Sequence, residues 1–591
     1  MKNFIYCLVS LVAFVLMTPL RTAAQTVPEL SSDADFMSAV LHFCGAADAE
    51  ELDSSEMERF YSFRRHPLQL NTASQSRLQL LLDPWRAASL IDYRDRHGAI
   101  LSWTELSAVD GFSPSLVAAL RPFAALDTAL PEGMKTQEAL LRTSVRKDED
   151  SSSRTAWSVK YRYTDESRFQ LALAAKNSYS SDGWRPEDIS GALCLYGRGR
   201  HFKSLVLGDY HARFGSGLSL WSGFSIGGVS AVSSFSRRGS GVTPAWTLSP
   251  SSALRGAAAS FQFGRVSVVP MVSFAPEGGS AALAMGLLGR RSEQTLTIVT
   301  GSLPERMGRA SFCDRRSLGH LRMLGLELGS ADIGAEFALD TRSRALASSL
   351  CFVLTPAYGR KVALQARWYP SNFTDTMSAG LRSSSRCRDE AGGSLGLLLG
   401  HFESTLDASR KISSGDVQCK SVSSVNYFIL DSLKLSGRVS VRLRPQDEYR
   451  WRRDLRFDIL KDFSRVSLHF RANYVWCRDY SQLYYAEAGY RSDAFRTYLR
   501  LSAFAVDRWD DRIYCYERDV YQYFNVPAYY GRGVSLSLTG SVAVRRQRCR
   551  HRLGWRLSCI HYTAGPLTTS KGKDIRAPKP DRLEARIQYM L

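Results

Sequence analysis

From Arg154 onward, apolar and polar residues alternate with a period of two, and the pattern keeps returning. Trp157, Val159, Tyr161 and Tyr163 alternate with Ser158, Lys160 and Arg162. Leu433, Leu435, Val439, Val441 and Leu443 alternate with Lys434, Ser436, Arg438, Ser440 and Arg442. The same holds for Val466 to Trp476, for Val534 to Val542 and for the final segment, where Leu583, Ala585, Ile587, Tyr589 and Leu591 share one face. Successive strand side chains point to opposite faces, so each run has one apolar and one polar side. A soluble sandwich would alternate too. These runs, however, are about ten residues long, the length that crosses a bilayer when tilted. Arg and Lys recur on the polar side, and aromatics gather at run ends (Trp368-Tyr369, Tyr474 with Trp476, Tyr484-Tyr485), as interfacial girdles require. The pattern predicts a mainly β protein: a large antiparallel transmembrane β-barrel over residues 154–591, with roughly twenty strands and an even number expected. It must close on itself, because an open edge in lipid leaves backbone groups unpaired.

Two stretches break the alternation. Residues 214–243, rich in Gly and Ser, are expected to fold inward as a constriction. Residues 507–530 hold Trp509, Tyr514, Tyr516, Tyr521, Tyr523, Phe524, Tyr529 and Tyr530, and read as a long aromatic outer loop.

Upstream the period changes to 3.6. Leu78, Leu81 and Leu82, then Leu90 and Ile91, then Leu116, Val117 and Leu120 carry helical spacing. Residues 25–130 therefore read as a small all-α domain, joined by a polar linker at 131–153 that has room for one short helix or first strand. Residues 1–24 read as a cleaved signal peptide, with Lys2 in the n-region, an apolar run from Phe4 to Leu16 and small residues at Thr22-Ala23-Ala24. Export then puts the barrel in an outer membrane and the helical domain in the periplasm. No later segment offers the 18 or more apolar residues of a membrane helix.

Charge sharpens the division. Residues 25–130 carry eight arginines and no lysine against fifteen carboxylates, a net of −7. Lys2 and Arg21 add +2, and the whole chain is +20, so residues 131–591 hold +25. A lumen lined by Arg456, Arg471, Arg496, Arg500 and Arg556 would attract anions, since charged rings set pore selectivity. Alternatively these arginines pair with lumenal carboxylates such as Asp454 and Asp458, or bind lipid phosphates at the rim. A surplus of +25 cannot be paired fully within the barrel, which implies an anionic partner: lipopolysaccharide, a small solute or a polymer. Outer-membrane lipid and a periplasmic protein are the other expected partners.

Residues 67–123 resemble the helix-hairpin-helix domain of the ComEA type found in DNA-uptake proteins. The matching segments are Leu70-Asn71-Thr72-Ala73-Ser74, Leu90-Ile91-Asp92-Tyr93-Arg94 with Gly98, Glu105-Leu106 through Val109-Asp110-Gly111-Phe112, and Leu116 to Phe123. The combination with the barrel, including Gly208-Asp209-Tyr210 followed by Phe214-Gly215, looks like a family of Bacteroidetes surface proteins. The last strand resembles the C-terminal signal of outer-membrane proteins, with Leu591 where Phe is common. The resemblance implies phosphate contact through hairpin amides at Gly111, Phe112, Ser113 and Ser115, with Arg86 and Arg121 as nearby cations. The sequence departs from that pattern: Leu81 and Asp83 stand where the first hairpin has glycines, and Ser113 replaces one in the second. A domain of −7 repels a polyanion. A compact adaptor, contacting protein or covering the barrel mouth, fits better.

Other chemistry finds little support. Gly223-Phe224-Ser225-Ile226-Gly227 matches the G-x-S-x-G elbow but lacks a helix signal after the serine. The ten cysteines beyond Cys7 form no C-x-x-C pair, and the histidines lack metal spacing. No cofactor, metal or catalytic residue is expected. The sequence predicts a non-enzymatic barrel, pore or assembly scaffold, with an acidic periplasmic adaptor. A DNA-uptake component and a barrel-embedded lipid hydrolase using Ser225 are the alternatives.

Overall fold

The computed structural model describes residues 33–126 and 135–590, except 149–152, 166–167, 178–187, 198, 226, 246, 249–252, 276–277, 302–306, 324–325, 431, 446–449, 547–548, 571–572 and 578. The expected signal peptide at 1–24 lies outside the described residues. The chain forms a closed antiparallel barrel of 24 strands, more than the roughly twenty expected. Each barrel strand pairs with the next in sequence. The cylinder closes where Arg582–Met590 pairs with Lys135–Asp148, Leu140 opposite Met590 and Asp148 opposite Arg582. Among the described residues no helix is long and apolar enough to cross a membrane, so any crossing is made by strands.

The closing strand corrects one boundary. Lys135–Asp148 falls in the stretch expected as the linker 131–153, and the barrel begins with it rather than at Arg154. Its Glu138, Leu140, Arg142 and Ser144 are buried while Leu141 and Val145 are exposed. So polar a strand reads as a linker unless its inward face is known to be ionic.

The alternation resolves as expected on the wall. In Arg154–Asp165, Val159 (42% exposed) and Tyr161 (38%) face outward, while Ser158 (3%), Lys160 (2%) and Arg162 (6%) face in. Val534 and Leu536 are out, with Ser535, Ser537 and Thr539 in. Leu583, Ile587 and Tyr589 are out, with Arg586 and Gln588 in. A cylinder with a greasy outside and a charged inside is the arrangement of a membrane barrel, the inverse of a soluble one. The two ends differ. Where the first strand begins and the last finishes, strands are joined by two to five residues. At the other end, connections run up to the forty residues between Arg213 and Leu254.

The two longest connections turn inward. Residues 214–243 do so as expected: Val232 and Phe235 pack on Val353 and Ala363, and Ser216 and Leu218 N–H groups donate to Glu336. Residues 507–530, expected as an outer loop, also fold into the lumen. Glu517 and Asp519 find Arg556 and Arg586 on the wall, and the Tyr521 hydroxyl donates to the Tyr61 carbonyl at 2.9 Å. These two of the loop's five carboxylates, more than its tyrosines, decide its direction.

The helical region comprises α1 (Asp33–Cys44), α2 (Ser54–Arg65), α3 (Gln75–Leu78), α4 (Pro84–His97), α5 (Trp103–Leu106) and α6 (Pro114–Leu120). Caps set the boundaries. The carboxylates of Asp53 and Asp83 accept the N–H groups of Ser55 and Arg86, and the Ser102 and Ser113 hydroxyls accept those of Glu105 and Leu116. Pro84 and Pro114 start their helices, where a missing N–H costs nothing. Phe60 and Phe123 pack as a tilted pair, ring centres 4.9 Å apart, over a core that includes Leu78, Leu82, Leu90, Val117 and Leu120, as the 3.6-residue spacing predicts. This region does not stand apart from the barrel as a separate periplasmic body. It sits within the lumen, bonded to inward-facing wall residues, because its acidic side chains find their cations there.

Candidate functional site

The site is the seam between helical region and wall. Residues 48–58 hold six carboxylates in eleven positions, placed by the one-turn helix Ala49–Glu51 and the first half of α2. Five of them reach wall cations. Asp48 pairs with Arg438 and Arg456, and Glu50 with Arg471 at 2.8 Å. Glu51 pairs with Arg438 at 3.2 Å and Lys420 at 3.6 Å. Glu56 pairs with Arg213 at 2.5 Å, and Glu58 with Lys160. Lys160 and Arg213 lie on early strands and Lys420 to Arg471 on late ones, so the segment bridges wall regions far apart in sequence. Glu58 and Lys160 are both almost fully buried, and Glu58 also accepts the Leu248 N–H at 2.9 Å. Burial alone would raise the Glu56 carboxyl, but Arg213 and Arg59 beside it outweigh that and hold it well below the usual carboxylate range.

The five arginines expected to line the lumen do three different jobs. Arg456 and Arg471 face inward, hold the helical region and share Asp458 at 3.0 and 2.6 Å. Arg500 and Arg556 hold the inward loop: Arg500 pairs with Glu487 at 2.6 Å and donates to the Tyr516 carbonyl, and Arg556 pairs with Glu517 at 2.5 Å. Arg496 does neither, and lines an open cavity. The pairing reading is thus realised by Asp458, and Asp454 lies within 3.9 Å of Arg452. Most pairing carboxylates, however, come from the helical region and the 507–530 loop. Pattern reading put Lys160 and Arg438 on polar strand faces without singling them out, and missed Arg213 and Lys420 on the wall and all five partners in 48–58. The available signal was the carboxylate density there, set against the surplus of positive charge in the wall.

That cavity measures about 670 Å³ and lies between α1, Tyr61 to Arg65 on and beside α2, and the late wall strands. Among the described residues it is lined by eleven Lys and Arg against six Asp and Glu. A second cavity of about 590 Å³ lies against the turn before α6 and the short-turn end of the wall.

Of the residues implied by the helix-hairpin-helix resemblance, Arg86, Gly111, Phe112 and Ser113 line this second cavity, Ser115 lines the first, and Arg121 lines neither. Gly111 adopts φ +89°, and a Cβ there would strike the Trp85 ring. Its carbonyl accepts from Arg86, which also pairs with Asp83 at 2.7 Å. Phe112 is buried. The Ser113 hydroxyl caps α6 and lies 3.0 Å from that of Ser115, which accepts from wall Lys361 at 3.3 Å. Asp110 accepts from Arg291 at 3.1 Å. Arg121 is exposed, 5.9 Å from the Trp103 ring. Ser225 sits in irregular backbone inside the lumen, where its hydroxyl accepts from Arg382 at 3.2 Å, and neither strand nor helix forms an elbow around it. Nine described cysteines are free, and no metal-holding group of His, Cys, Asp and Glu occurs among the described residues.

No family model matches the chain, and no curated protein does. Similar solved structures include the translocation pore of the P pilus usher PapC (9% identity, TM-score 0.37, 77% of this chain and 98% of that one). Pseudomonas aeruginosa OccK3 (OpdO) has 8% identity and a TM-score of 0.28 over 77% of this chain and 95% of its own. The siderophore receptor PirA from Acinetobacter baumannii has 9% and 0.36 over 78% and 81%. At those scores the likeness adds nothing to the geometry above.

Proposed function

We propose that this chain is an outer-membrane barrel closed by its own acidic helical region, and that the lumen it closes handles an anionic solute. The observation that carries the reading is the five-carboxylate latch of residues 48–58 on wall cations. Short turns at one end and long connections at the other support the orientation, since barrels of that membrane keep short turns on the periplasmic side. The back half of the helical region then fills the periplasmic mouth, where Ser76 meets the Lys203 carbonyl and Asp110 meets Arg291. Leu101, 84% exposed beside the polar 95–99 segment, leaves a surface there for a periplasmic partner and keeps the adaptor role in play. The exposed apolar belt has outer-membrane lipid as its partner. DNA capture finds no favouring observation, because the turn at Gly111 to Ser115 faces the wall.

The test is the reversal potential of the purified protein in planar bilayers under a KCl gradient, with the helical region loosened by Glu56→Gln and Glu58→Gln. The expected outcome is a larger conductance than wild type with chloride preferred over potassium. Conductance equal to wild type, or cation preference, would overturn the reading.

A further inference from the structure

The cation Arg496 is placed at a cost that folding alone does not explain. It lies directly across from Arg491 in the strand pairing of Tyr480–Arg491 with Phe495–Val506. Like charges facing each other on neighbouring strands are destabilising. Arg491 is compensated, with both oxygens of Asp462 at 2.7 Å. Arg496 has no ion pair or hydrogen bond among the described residues, and it is only partly exposed.

Its surroundings are those of a ligand site. Tyr498 is on the same inward face two residues on, with the Arg518 guanidinium 4.1 Å from the ring centre. Tyr521 lies across the cavity with Arg552 4.8 Å from its ring. Ser541 is the cross-strand neighbour of Arg496 on the other side and lines the same space. Binding sites for small molecules are concavities of about 300–1,000 Å³ with a few convergent polar groups and aromatic walls, and this one measures about 670 Å³. Planar guanidinium groups match carboxylate and phosphate oxygens in pairs.

We infer that Arg496, with Arg491, Arg518 and Arg552 around it, forms a binding site for a small organic polyanion carrying two or more phosphate or carboxylate groups. The site deepens the anion-handling reading above and rests on it for its physiological setting. The same cavity is bordered by Asp48, Arg456 and Arg471, so a bound polyanion sits beside the latch and competes with its carboxylates for those two arginines. Repulsion between the ligand and Asp48 couples occupancy of the site to release of the helical region.

The experiment is calorimetric titration of the full chain in detergent with pyrophosphate, and separately with citrate, in chloride-free buffer. Arg496→Gln is expected to weaken binding tenfold or more, Arg496→Lys to restore part of it, and Arg316→Gln, on an exposed position, to leave it unchanged. Arg552→Gln serves as a second variant should the first fail to give a folded barrel, and it is expected to weaken binding several-fold. Binding of neither anion, or affinity indifferent to both Arg496→Gln and Arg552→Gln, would overturn the site. The bilayer measurement separates the two ideas. Chloride preference without Arg496-dependent binding removes the site and keeps the pore, and Arg496-dependent binding without conductance does the reverse.

Discussion

The two halves of the helical region meet the same wall by different means. The front half, α1 through α2, crowds five carboxylates onto six wall cations within eleven residues, and one of its pairs, Glu58 with Lys160, is almost dry. The back half, α3 through α6, touches the wall through scattered contacts: Ser76 to the Lys203 carbonyl, Ser115 to Lys361, and Asp110 to Arg290 and Arg291, both half exposed or more. Buried charges punish the loss of a partner severely, whereas exposed pairs contribute little. Attachment is therefore concentrated in the front half, and the back half is free to present itself at the mouth.

The largest effect belongs to the dry pair. Glu58→Gln leaves Lys160 buried without its counter-charge, a change that costs about 3–5 kcal/mol. It should appear as a lower urea midpoint for α2 protection from proteolysis while the barrel stays intact. Next comes Asp48→Asn, which removes a carboxylate shared by Arg438 and Arg456 and is expected to cost about 2–3 kcal/mol by the same readout, as bonds to charged groups do.

Acid should loosen the front half selectively. Glu56 is held below its unfolded value near 4.3. Its contribution is therefore complete above that value and is lost as the pH falls below it toward the depressed one. Proteolysis with pepsin between pH 5 and pH 2.5 should find α2 increasingly open, and Glu56→Gln should flatten that dependence. The smallest effect is expected from Asp110→Asn, under about 1 kcal/mol, because its arginine partners are half in solvent or more. If Asp110→Asn released the helical region as readily as Glu58→Gln, the contrast between the halves would collapse.

Much of this architecture was legible in the sequence, and the rest was hidden for identifiable reasons. Period two set Val159 and Tyr161 outside and Lys160 and Arg162 inside, because one face meets lipid and the other does not. Period 3.6 gave Leu78, Leu90 and Leu120 to the helical core. The first strand was obscured because Glu138, Arg142 and Arg146 resemble linker residues until their lumenal face is known. The 507–530 loop was misdirected by its tyrosines, when Glu517 and Asp519 govern its path. The latch was visible only as opposite charge surpluses, −7 against +25. Its pairs join residues such as Asp48 and Arg456, 408 positions apart, and no local pattern encodes a partner at that distance.

The central claim, that the helical region is docked inside the barrel through its front half, is tested most directly by hydrogen–deuterium exchange on the full chain in detergent. The amides of α2 should exchange as slowly as those of the wall strands, and far more slowly than the exposed turn at 95–101. Exchange of α2 at the rate of a free helix, with the wall strands still protected, would contradict it.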